Sequence, residues 1–152
     1  VRLSQHLKPE AILLAPDVGD RDALFQRLAE VFRSTGLISS PDAVVARLKR
    51  REEILSTGIG GGIAIPHAQV PGIGRLAMAA SVHPDGIDYP ALDNRPVRLV
   101  FCLLGDAGTA ADHLAGLARL ARLARKGEQL EELIHAASSA EFLRALVRLE
   151  GD

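Results

Sequence analysis

One histidine in this chain stands where its neighbours would present it for reaction. His67 closes the string Ser56-Thr57-Gly58-Ile59-Gly60-Gly61-Gly62-Ile63-Ala64-Ile65-Pro66-His67. An imidazole with a reference pKa near ~6.5 keeps a free nitrogen lone pair on much of its population at pH 7, so it can serve as a nucleophile or a ligand. Four of the five residues 58–62 are glycine, which lets the backbone bend at positive φ and approach another group closely. The N–H groups of Gly58, Gly60, Gly61 and Gly62 could form a concavity for an anion, and the Thr57 hydroxyl could add a donor. Ile63-Ala64-Ile65 fits a short buried strand. Pro66 fixes its own φ and biases Ile65 towards an extended shape, which ends that strand just before His67. A glycine-rich turn before a strand is common, and a histidine beside a proline is usually a surface residue. The whole string is far more specific than its parts.

Positive charge is available upstream. The cluster Arg47, Lys49, Arg50, Arg51, Glu52, Glu53 reads mostly as the solvated face of a helix. Arg51 differs, because it lies six residues before Thr57 and a helix would deliver it to the glycine turn. A guanidinium there can hold a phosphoryl oxygen through two parallel hydrogen bonds. Of the other histidines, His6, His83 and His135 are expected at the surface. His113 is placed in the first turns of a helix after the most apolar segment, where open α/β sheets commonly hold ligands.

The string from Ser56 to His67 resembles the signature of the fructose/mannitol and nitrogen-regulatory class of IIA proteins of the bacterial phosphoenolpyruvate-dependent phosphotransferase system. Arg51-Glu52-Glu53-Ile54-Leu55-Ser56-Thr57-Gly58 and Asp112-His113-Leu114-Ala115-Gly116-Leu117 are similar to two further stretches of that family. The resemblance implies that His67 accepts a phosphoryl group, that Arg51 holds it, and that His113 hydrogen-bonds the phosphorylated ring. It also implies no cofactor and no metal. The implied partners are a histidine-containing phosphocarrier protein as donor, and a sugar-transporter IIB domain or regulatory target proteins downstream. Two positions depart from the pattern: Gly61, where many relatives carry Asn, Asp or Glu, and Gln69, where many carry Lys or Arg.

Competing chemistries fit less well. A metal-dependent hydrolase built on His67, His113 and Asp112 lacks a recognised ligand spacing such as H-E-x-x-H, and the glycine turn is not followed by the Gly-Lys-(Ser/Thr) of a P-loop. Two uses of a phosphorylated His67 stay open. One is transfer of the group to a transporter domain, and the other is regulated binding of target proteins without sugar transport.

The elements that must position these residues read in order. Ala11-Ile12-Leu13-Leu14 is a first strand, and Leu24, Leu28, Val31 and Phe32 recur at helical spacing behind a cap at Asp20 or Asp22, with Gly36 at the far end. Ser40 and Pro41 open a second helix with the face Val44, Val45, Leu48. A buried strand over 76–82 ends at the turn Pro84-Asp85-Gly86, and 97–104 forms a central strand broken by Gly105-Asp106-Ala107-Gly108. From Thr109 a long helix turns Leu114, Leu117, Leu120, Ala121 and Ala124 inward and Arg119, Arg122, Arg125 and Lys126 outward. Gly127 ends it, a shorter helix covers 128–136, and Ser138 or Ser139 caps a last one.

This order fits one α/β domain over residues 1–152. The family resemblance implies a mixed central β-sheet flanked by helices on both faces. At 152 residues, 47% hydrophobic and 24% charged, the composition is that of a globular protein. Aromatics are 3% with no Trp, so the core must be aliphatic. A formal net charge of −1 argues against a broad nucleic-acid footprint. No apolar run is long enough for direct membrane insertion and no leader pattern opens the chain, which points to a cytoplasmic protein. Cys102, the single cysteine, lies in an apolar run and reads as a buried hydrophobe.

Overall fold

The computed structural model describes residues 2–151. A short helix α1 (Leu3–His6) and a 3-10 turn lead into β1 (Ile12–Leu14), followed by α2 (Arg21–Ser34) and α3 (Pro41–Ile54). Three short strands come next, β2 (Gly58–Gly60), β3 (Ile63–Ala64) and β4 (His67–Gln69), then two long ones, β5 (Ala77–Ile87) and β6 (Val97–Gly105). The chain ends in α4 (Ala110–Leu123), α5 (Glu131–Ile134) and α6 (Ser139–Glu150).

The sheet is mixed, in the order β1-β5-β6-β3-β2, with β4 also pairing β6. β6 is its axis. β5 pairs it antiparallel, whereas β3 and β4 pair it parallel. Ile63 faces Leu99 and His67 faces Leu103, the same offset. β3 and β4 are therefore one strand interrupted at Ile65-Pro66, where proline has no N–H to give the ladder. The Pro66 carbonyl still accepts from Leu103 N at 3.0 Å.

Side chains alternate across β6. Phe101 stacks on Phe142 of α6 at 6.1 Å between centroids, and Leu103 meets Gly116 of α4. Val100, Cys102 and Leu104 turn to the other face and are fully buried, and burial pushes the Cys102 thiol up. Helices thus cover both faces of the mixed sheet. The caps act as their sequence suggests, with Asp20, Ser40 and Ser138 accepting from the backbone N–H of Ala23, Ala43 and Glu141.

Several expectations need correction. The strand over 76–82 does not stop at Pro84-Asp85-Gly86. β5 runs on to Ile87 through an irregularity in which five residues span what two residues of β6 span. Gly86, at φ 82°, takes up the excess chain where a Cβ would sit 2.7 Å from Pro96. The inward face of α4 is rotated from the expected one: His113, Gly116, Leu120 and Leu123 are buried, whereas Leu114 is 70% exposed and Ala121 faces solvent. Gly116 sets this rotation, since a Cβ there would already stand 3.0 Å from Leu103. Arg119 is not a solvated cation but lies 3.5 Å from the buried carboxylate of Glu150. The helix expected over 128–136 is reduced to α5, after a 3-10 stretch that Gly127 kinks at φ 59°. His83 is not a surface residue: it is 4% exposed and shares a 2.6 Å hydrogen bond with Ser81 Oγ.

Candidate active site

α3, β4 and α4 meet at the edge of the sheet, and each contributes one of the sequence-selected side chains. Val44, Val45 and Leu48 bury one face of α3, which leaves Arg47, Arg50 and Arg51, spaced i, i+3, i+4, on a neighbouring face. His67 opens β4 and is half-buried. His113 lies in the first turns of α4 and is 9% exposed.

The hydrogen bonds of His67 fix its tautomer. Nδ1 lies 2.8 Å from the Ile65 carbonyl. A carbonyl only accepts, so Nδ1 carries the proton and Nε2 the lone pair. Arg51 Nε donates to Nε2 at 3.2 Å, while its Nη1 holds the Leu55 carbonyl at 2.8 Å. The Ile65 contact follows from the chain break at Pro66, which turns that carbonyl towards the ring two residues on. His113 stands edge-on to His67, with 5.4 Å between ring centroids and 64° between planes. Its Nδ1 is buried and has no hydrogen-bond partner among the described residues.

Burial biases both rings towards the neutral form. Burial lowers the pKa of His67 most, the Ile65 carbonyl works against it, Arg51 lowers it further and Glu52 opposes. Burial also lowers His113, with His67 as the second cause. Arg47, Arg50, Arg51, Ile54, His113 and Leu117 help line an open cleft of about 370 Å³ around His67. Among the described residues no carboxylate lines it. Such a cleft offers a neutral nitrogen nucleophile among fixed cations, which is what an incoming phosphoryl group requires. Among the described residues no group of three His, Cys, Asp or Glu side chains converges to hold a metal ion.

The structure brings His67, His113 and Arg51 together and places Thr57 and the glycines elsewhere. Thr57 is 3% exposed, and its hydroxyl donates to the Glu52 carboxylate beside Tyr89 Oη. Gly58 N donates to Ser56 Oγ and Gly61 N to Asp93 Oδ2, both within the loop region. Gly60, Gly61 and Gly62 all have φ between 67° and 98°, so they make the tight reversal between β2 and β3 rather than a cradle in the cleft. Gly58 serves close approach instead: a Cβ would stand 2.5 Å from the Pro90 carbonyl. Sequence reading left Arg47 and Arg50 on the solvated face, although Arg47 lies one turn from Arg51 and Arg50 one turn from Arg47. It also missed the burial of Glu52, which falls one turn beyond Leu48 on the buried face of α3.

Fold and site together define an α/β protein with a neutral histidine, flanked by arginines, at the edge of a mixed sheet. The family model for "Phosphoenolpyruvate-dependent sugar phosphotransferase system, EIIA 2" matches residues 5–148, and the chain belongs to that family. It is 31% identical over 129 residues to the fructose-specific EIIA component of Haloferax volcanii, covering 85% of this chain and 84% of that one. It is 30% identical over 148 residues to a nitrogen regulatory protein of Pseudomonas aeruginosa, covering 97% and 95%. The crystal structure of nitrogen regulatory protein IIA-Ntr from Neisseria meningitidis superposes with a TM-score of 0.87 at 29% identity, covering 95% of this chain and 99% of that chain. Among the described residues no helix is long and apolar enough to cross a membrane.

Proposed function

We propose that His67 is a phosphoryl carrier, accepting the group on Nε2 from a phosphohistidine of the histidine-containing carrier protein and releasing it to a further partner. The observation that carries this reading is the pair of bonds to the ring: Nδ1 anchored on the Ile65 carbonyl, and Nε2 turned towards Arg51. The Nε2 lone pair attacks phosphorus, an N–P bond forms, and the donor's N–P bond breaks with its electron pair left on the donor nitrogen. When the donor ring is protonated on its other nitrogen, each ring keeps its remaining proton and none is transferred. The phosphorylated His67 then carries Nδ1–H and a formal positive charge, which the Ile65 carbonyl dipole stabilises. Arg51 moves its donor from Nε2 to a phosphoryl oxygen, Arg47 and Arg50 add positive charge nearby, and His113 supplies a ring N–H from the other wall. Exposed Ile54 and Leu114 flank this centre, a surface suited to a protein donor rather than to a free sugar.

The released group goes to a transporter IIB domain, or else the phosphorylated state governs binding to target proteins. Similarity to a nitrogen regulatory protein over 97% of the chain favours the regulatory use. Phosphoenolpyruvate with the upstream enzyme and carrier should place acid-labile, base-stable label on the wild type and none on His67→Ala. Label at wild-type stoichiometry on a folded His67→Ala protein would sink the assignment. Transfer of that label onward to IIB domains separates the two uses.

A further inference from the structure

The side chain next to Arg51 points the opposite way and ends in a buried charge. Glu52 is 8% exposed. Its Oε2 accepts from Thr57 N at 3.0 Å, and its Oε1 accepts from the Thr57 hydroxyl and from Tyr89 Oη, the latter at 2.7 Å. Among the described residues the carboxylate is met by three donors rather than by a cation. Burial, and then the charge of Glu52 itself, pushes the Tyr89 phenol well up, so Tyr89 stays protonated as a donor. Tyr89 is anchored in turn, edge-on to Phe25 of α2 at 6.0 Å. One carboxylate therefore ties the last turn of α3 to the entry of β2 and to the segment after β5.

A buried carboxylate is a costly way to join three segments, since an apolar contact of similar volume often serves stability as well. Its position suggests what it supplies. Arg51 precedes Glu52 on the helix, and Thr57 begins the hairpin that leads to Ile65 and His67, with the Thr57 carbonyl accepting from Ile65 N at 2.9 Å. Both supports of the His67 ring, the guanidinium and the Ile65 carbonyl, are thus one step from groups that Glu52 holds. Of the influences on the ring, burial is the largest, and the Glu52 charge is one of those acting against it.

We propose that Glu52 is a positioning residue for the His67 site: a buried carboxylate that clamps Arg51's helix to the Thr57–Ile65 hairpin and whose charge favours the positively charged, phosphorylated ring. The proposal rests on the carrier reading above. Arg47, Arg50, Arg51 and His113 are the other charged or titratable groups around the ring, and none of them touches the Thr57 and Tyr89 contacts.

The test replaces Glu52 by glutamine in the full chain, keeping volume and acceptor oxygen while removing charge. Glu150→Gln is the control, because the Glu150 side chain is also buried and its carboxylate is held by the α1 backbone and Arg119, with no contact to Thr57, Tyr89 or the His67 cleft. Single-turnover phosphoryl acceptance from the phosphorylated carrier should fall about tenfold or more in Glu52→Gln and stay within about twofold in Glu150→Gln. The pH titration of the His67 ring, followed by NMR on the unphosphorylated protein, should move to lower pH only in Glu52→Gln. That titration needs no phosphoryl donor, so it separates failure of this proposal from failure of the carrier reading. An unmoved titration, or equal rates in the two variants, overturns the proposal. Should Glu52→Gln not fold, Tyr89→Phe removes one donor and keeps the charge. A threefold or greater loss of rate in a folded Tyr89→Phe supports the clamp, and a wild-type rate overturns it.

Discussion

Replacing Arg51 with lysine keeps the charge and removes the fork. Arg51 spans two acceptors at once, with Nε on His67 Nε2 at 3.2 Å and Nη1 on the Leu55 carbonyl at 2.8 Å. The second bond fixes the plane of the guanidinium, so the first is aimed at the place where the phosphoryl oxygens arrive. A single ammonium cannot hold the Leu55 carbonyl and serve the ring site together. A hydrogen bond to a charged group contributes about 1.5–3 kcal/mol, and each ~1.4 kcal/mol of transition-state stabilisation is tenfold in rate. Arg51→Lys should therefore accept phosphoryl about 10- to 100-fold more slowly in a quenched single-turnover reaction with the phosphorylated carrier. Arg51→Ala should lose at least as much. Arg51 also lowers the His67 pKa, behind burial as the larger cause. Its removal should move the ring's titration to higher pH and leave fewer neutral rings near pH 7. Acceptance by folded Arg51→Lys within twofold of wild type would refute the role given to the fork.

Other consequences follow from burial and close packing. Burial pushes His83 down to about 4, whereas an unfolded histidine titrates near ~6.5. Above that pH both states are neutral and His83 has no effect. As pH falls below it the unfolded chain binds the proton first, so stability drops until about pH 4, by roughly 1–2 kcal/mol at pH 5 after allowing for partial solvent screening. Denaturant titrations at pH 7 and pH 5 should show this loss reduced in His83→Gln, and an unchanged loss would contradict it. Gly58→Ala drives a methyl into the Pro90 carbonyl at 2.5 Å and Ala91 Cα at 2.8 Å, costing about 1–3 kcal/mol. Its Tm should fall by roughly 3–10 °C, and an unchanged Tm would show that the strand shifts freely. Leu114→Ser should leave stability within about 0.5 kcal/mol, because the side chain is 70% exposed. A larger loss would restore the apolar face expected for α4.

Local chemistry made much of this fold legible. Caps at Asp20, Ser40 and Ser138 and the apolar run of β6 need only a few neighbouring residues to be read, and they were. What was not legible depends on tertiary partners. Helix periodicity alone gives Leu114 and Ala121 as core along with Leu117 and Leu120, yet the missing side chain at Gly116 lets Leu103 set the rotation of α4 and leaves the first two outside. Pro84-Asp85-Gly86 carries turn residues, but here they form an irregularity inside one strand, and the ladder to β6 resumes at Ile87. At the site, the spacing of Arg51 and the family resemblance led to the two side chains, Arg51 and His113, that meet at His67. The glycines were read as an anion cradle because positive-φ turns suit both a cradle and a hairpin, and only the pairing of β2 with β3 decides between them. Glu52 was hidden by the charge of its neighbours, although it falls one turn beyond Leu48 on the buried face of α3.

The tautomer of His67 is the hinge of the account, and it can be read directly. Long-range proton–nitrogen NMR on protein carrying ¹⁵N-histidine would report which ring nitrogen bears the proton, and after phosphorylation which one bears phosphorus. The structure calls for Nδ1–H in the free protein and a bond from Nε2 to phosphorus in the phosphorylated one. A proton on Nε2 of the free ring, or phosphorus on Nδ1, would contradict it.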